Sequence, residues 1–88
     1  MPLELGERTA VLSGAVSVDE AEPLAEWLRR TPSPAVDLAR CVHLHTAALQ
    51  ALLAADVTVT VAPADGFLAS RVMPLLRLEP ATDAKGAQ

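Results

Sequence analysis

Aromatic side chains are nearly missing from this chain, which has one Trp (Trp27), one Phe (Phe67) and no Tyr in 88 residues. Single-stranded nucleic-acid binding depends on aromatic stacking platforms, so the scarcity argues against it. Positive charge is also short: seven Lys and Arg face eleven Asp and Glu, for a net charge of −4. That balance argues against phosphate-backbone binding in general. Cysteine occurs once, as Cys41, which excludes an internal disulfide and suits a reducing compartment. No apolar run approaches the roughly 20 residues that span a bilayer. Residues Met1 to Glu7 lack a basic region followed by an apolar run, so no secretory signal is visible. The expectation is a cytoplasmic protein without membrane insertion. Neither a nucleophile elbow nor a phosphate-binding glycine loop is present. The sequence therefore reads as non-enzymatic, with no cofactor.

What is present is a globular composition, 51% apolar and mostly Ala, Val and Leu among the aliphatics. A chain of this size buries roughly 60% of its unfolded surface, so its core is modest. One domain is expected over residues 1–80. The small, polar residues 81–88 are expected to form a flexible tail.

The pattern along the chain alternates. Leu3 to Leu5 reads as a short strand, with a turn at Gly6-Glu7. Arg8 to Leu12 reads as a second strand, with Thr9 and Val11 on one face and Ala10 and Leu12 on the other. Ser13-Gly14 is expected to end it, Gly14 marking a turn or a close backbone approach. Ser17-Val18-Asp19-Glu20 has the capping-box pattern. The helix behind it carries Ala21, Leu24, Ala25 and Leu28 at helical spacing. Pro23 conflicts with a start at Ser17 and leaves open a start nearer the proline. After the break at Thr31-Pro32-Ser33-Pro34 comes a buried strand, Ala35 to Leu38. A helix follows from Thr46 to Ala55, with Leu49, Leu52 and Leu53 on one face. Val57 to Val61 alternates strictly and is β-branched throughout, the strongest strand signal in the chain. Asp65 is positioned to cap a short helix, Phe67 to Met73, which Pro74 stops. Leu75 to Leu78 adds a last strand. Such alternation predicts an α/β layer with a mostly parallel sheet of about four to five strands, its helices mainly on one face.

The most informative stretch runs from Val36 to Leu53. Its strand leads through a polar segment into the helix at Thr46. Thr46 is expected as the N-cap, its hydroxyl accepting from the free N–H groups of the first turn. The same N–H groups and the helix dipole favour an anion there. Thr46 is thus a cap, an anion contact or a phosphorylation site, and these readings are compatible.

Three segments resemble the STAS domain, shared by sulfate transporters and bacterial anti-sigma factor antagonists. Val11-Leu12-Ser13-Gly14-Ala15-Val16 is similar to the family's strand with a Gly-containing turn before the first helix. Val36-Asp37-Leu38-Ala39 resembles its central strand, often Val-Asp-Leu-Ser. His45-Thr46-Ala47-Ala48-Leu49 falls where the family commonly has Asp-Ser-Ser-Gly-Leu or Asp-Thr-Ala-Gly-Leu. The resemblance covers about Leu3 to Leu78 and implies a small STAS-like fold. In the antagonist members the hydroxyl residue of this motif is phosphorylated by a partner kinase that is itself the anti-sigma factor. Thr46 matches that position, whereas His45 replaces the family Asp and Ala48 the Gly. The resemblance implies signal transduction by protein–protein binding, with a surface including Ser13, Gly14, His43, His45, Thr46, Ala47 and Ala48. The alternative partner is the ATPase of a lipid-type ABC transporter, which some small family members bind.

Two further readings stand beside these. Cys41, His43 and His45 alternate, so an extended backbone would turn them to one side, and sulfur with two imidazoles suits zinc. No fourth ligand is evident beyond Asp37 or Asp65. The plainer reading makes Cys41 a small buried group and the His pair loop or surface. Trp27 is either packed at a helix flank or a binding hot spot.

Overall fold

The computed structural model describes residues 2–78. The expected tail, 81–88, lies outside the described residues. The elements in chain order are β1 (Leu3–Leu5), β2 (Thr9–Val16), α1 (Val18–Arg30), β3 (Ala35–Leu44), α2 (Thr46–Ala55), β4 (Thr58–Val61), α3 (Gly66–Val72) and β5 (Arg77–Leu78), with a single 3₁₀ turn at Met73–Leu75 before β5. The five strands form one sheet in the order β1-β2-β3-β4-β5. β1 runs antiparallel to β2 and every other pairing is parallel. Successive right-handed crossovers between neighbouring parallel strands place their helices on one face. This is the small, mostly parallel α/β layer that the alternation predicts.

The core lies between that face and the helices. Ala10, Leu12, Val36, Leu38 and Val59 point into it and are fully buried. The intervening residues Thr9, Val11, Ala35, Asp37, Thr58 and Thr60 are half-buried on the opposite face. Leu24, Trp27 and Leu28 of α1 and Ala48 and Leu52 of α2 close the core from above. Trp27 is a packing residue: it is buried, and its Nε1 donates to the Gly6 carbonyl at 2.8 Å. That bond ties α1 to the β1–β2 turn. The turn itself needs glycine, since a Cβ on Gly6 would stand 2.9 Å from the Thr9 carbonyl oxygen. Among the described residues no helix is long and apolar enough to cross a membrane.

α1 starts at the capping box and not at Pro23. The Ser17 side chain accepts from Asp19 N, and Glu20 Oε1 accepts from both Ser17 N (2.7 Å) and Ser17 Oγ (2.6 Å). Those bonds hold the carboxyl of Glu20 below the usual carboxylate range, the bond from the Ser17 side chain contributing most. Pro23 is carried inside the helix at an exposed position. The hydrogen bond it forgoes is to the first-turn carbonyl of Asp19, where water can substitute. Asp65 caps α3 as expected, accepting from Leu68 N at 2.8 Å.

Two strands extend well past their expected ends. β2 does not stop at Ser13-Gly14 but runs to Val16, and β3 does not stop at Leu38 but runs to Leu44. Gly14 has φ +64° and open space where a Cβ would lie, so it serves an irregular strand and not a close approach. In α2, Ala48 and Leu52 form the buried stripe, and Leu53 turns outward at 36% exposure. Leu53 follows Leu52 by 100° of helical rotation, which carries it off the core face.

Candidate site at the N-terminal end of α2

The site is built where β2 and β3 project beyond the rest of the sheet. β4 pairs with β3 only over Ala35 to Asp37. β2 and β3 continue together, Ser13 opposite Arg40, Gly14 opposite Cys41, Ala15 opposite His43 and Val16 opposite Leu44. Each strand then passes directly into a helix. Ser17 follows Val16 as the cap of α1, and His45 follows Leu44 as the cap of α2. His45 N donates to the Val16 carbonyl at 2.9 Å, which locks the two junctions side by side.

The cap of α2 is His45, not Thr46. Its Nδ1 accepts from Ala47 N at 3.0 Å, and its backbone is extended. Thr46 is therefore the first residue inside the helix. A side chain at that position lies outside the ring of first-turn N–H groups, so its hydroxyl is not placed to cap them. Thr46 is exposed, and its hydroxyl makes no hydrogen bond among the described residues. The cap and the hydroxyl, assigned to one residue from the sequence, are separate residues in the fold. α2 contains no charged side chain from Thr46 to Ala55, so its N-terminal dipole is not offset from within.

The alternation of Cys41, His43 and His45 does not survive folding. Between Val11 and Ser13, and again between Gly14 and Ala15, β3 spends one more residue than β2. Each extra residue is a bulge that reverses which side chains face inward. The inward series along β3 becomes Val36, Leu38, Cys41 and, in part, Leu44, while Arg40, Val42 and His43 face solvent. Cys41 is fully buried, and its Sγ donates to the His43 carbonyl at 3.4 Å. Burial pushes its thiol above the usual range, and the charge of Asp65 acts in the same direction. Among the described residues no three His, Cys, Asp or Glu side chains converge as metal ligands would. Cys41 is thus the small buried group of the plainer reading.

The surface expected from the sequence is brought together in part. Gly14, His43 and Thr46 are exposed, and Ser13, His45 and Ala47 are half-buried, all at this end of the sheet. Ala48 is fully buried and belongs to the core, because the first inward position of α2 falls one turn behind the cap. Two exposed apolar residues join the surface that sequence reasoning passed over. Val18 is 55% exposed and Val42 56%. Val18 is the first residue of α1, as Thr46 is of α2. A visible capping box at Ser17 fixes Val18 outside the buried stripe, so it was open to detection. Val42 owes its exposure to a bulge that no local pattern announces.

No protein-family model, curated protein or solved structure matches this chain.

Proposed function

We propose that this chain is a regulatory protein-binding module of the STAS type, with the N-terminal end of α2 and the projecting ends of β2 and β3 as its partner surface. The observation that carries the reading is Thr46. It offers an exposed hydroxyl with no capping duty at the first position of a helix whose dipole is unopposed from within. Val18, Val42 and His43 are exposed at the same end, apolar and polar together as in a protein-binding patch. The resemblance to anti-sigma factor antagonists supplies the partner class, a kinase-type anti-sigma factor or an equivalent signalling protein. Phosphorylation of Thr46 would add about −1.5 to −2 charges where the helix terminus favours them. Such a charge changes the surface without loosening the cap, since His45 holds the cap.

The test is affinity capture with the tagged chain from its own cell lysate, comparing wild type, Thr46→Ala and Thr46→Glu, with partners identified by mass spectrometry. The expected outcome is a kinase-like or sigma-regulatory protein retained by wild type and Thr46→Ala and lost from Thr46→Glu. Equal capture by both variants would remove the switch. A transporter ATPase held by both would replace the signalling partner with the accessory-subunit alternative.

A further inference from the structure

We infer that His45 makes the first turn of α2 a pH-responsive element. The inference stands on cap geometry and does not require any partner. An N-cap must present an acceptor, and here the acceptor is an imidazole nitrogen, Nδ1, 3.0 Å from Ala47 N. Nδ1 accepts only while it carries no proton. A proton bound there replaces the lone pair with a second N–H, and two donors then confront each other across the cap. The imidazolium also meets the positive end of the helix dipole. The common capping residues behave differently, because Ser, Thr and Asn remain acceptors at any ordinary pH. An imidazole can take up a proton where a hydroxyl or an amide cannot, so a cap made from one can be released by protonation.

The charged and titratable groups on the surrounding elements are few. Asp19, Glu20 and Glu22 stand in the first part of α1, and Glu20 is already bound to Ser17. Asp37, Arg40 and His43 stand on β3, and Asp65 lies between β4 and α3, near Cys41. α2 adds no charge of its own before Asp56. A proton on Nδ1 of His45 takes the acceptor from Ala47 N, and the first turn frays. Thr46 is in that turn, so where this surface binds a protein, the same proton alters what the partner meets.

Heteronuclear magnetic resonance on the full chain tests this from pH 8 to pH 5. In wild type, the ring nitrogens of His45 should report the tautomer protonated at Nε2 at pH 8. The Ala47 amide shift should then follow His45 titration, with about a fivefold loss of exchange protection after correction for intrinsic rates, as expected for loss of one cap. His45→Asn keeps an acceptor that does not titrate, and its Ala47 amide should stay constant. His43→Gln should leave the wild-type response intact. An Nδ1-protonated tautomer at pH 8, a constant Ala47 amide in wild type, or an unchanged response in His45→Asn would each overturn the inference. The two wild-type measurements decide it even if a variant fails to fold.

Discussion

The two helices that end the projecting strands start alike in position and differently in chemistry. Val16 and Leu44 are opposite each other in the sheet, and the next residue of each chain segment caps a helix. At α1 the cap is Ser17 with Glu20, a reciprocal box, and two acidic residues occupy the first turn. At α2 a single imidazole caps a first turn with no acidic residue. The first arrangement satisfies its own dipole. The second leaves a positive helix end with one titratable acceptor and one idle hydroxyl. The fold requires a cap at both junctions, but only α2 leaves its terminus electrostatically unsatisfied.

The largest expected effect tests the shared foundation of the pair. Leu24 of α1 and Leu52 of α2 are both fully buried, so Leu24→Ala and Leu52→Ala should each cost about 2–5 kcal/mol. Urea unfolding followed by Trp27 fluorescence would measure this. A loss confined to one variant would show that the helices do not depend equally on the core.

The caps themselves come next. Ser17→Ala should cost about 1–2 kcal/mol and His45→Ala about 0.5–1 kcal/mol, because the serine belongs to a reciprocal network and the histidine makes one bond. The box at α1 also has its own pH dependence. The folded-state Glu20 carboxyl sits below its usual range, so its contribution is complete at neutral pH and is lost as pH falls through the folded value. Urea midpoints of wild type and Glu20→Gln should therefore converge in acid and diverge above the usual carboxylate range. A constant gap would break the assignment.

Thr46→Ala should have the smallest effect, within about 0.5 kcal/mol, as for an exposed residue without a partner. The same urea series reads it. A cost near that of Ser17→Ala would return the capping role to Thr46.

The comparison also explains what the sequence made legible. Ser17 and Glu20 were visible because a capping box is a local pattern of four residues. The alternating Thr58 to Val61 was visible because period two survives in a regular strand. His45 was hidden because imidazole is not among the usual caps, and a threonine beside it was the better local candidate. The ends of β2 and β3 were hidden for another reason. Two bulges in β3 break its alternation, and Ser13-Gly14 carries the composition of a turn although it lies within a strand. Ala48 fails as a surface residue because it lies one helical turn behind the His45 cap, at the first inward position of α2.

The bulges in β3 have a consequence for how its free end could meet another strand. Beyond Asp37, β3 has no ladder partner in β4; Ala39 there donates to Asp37 Oδ1 at 2.9 Å, and its carbonyl accepts from Ala64 N at 3.2 Å. An open, straight strand is a template on which a second chain can polymerise. Here the regular spacing of donors and acceptors is interrupted twice in five residues, and Arg40 projects from the interrupted segment. A strand approaching from another molecule finds no continuous ladder to extend and must bury a charge to lie flat. The irregularity that displaces His43 from Cys41 also makes this stretch of β3 a poor template for a further strand.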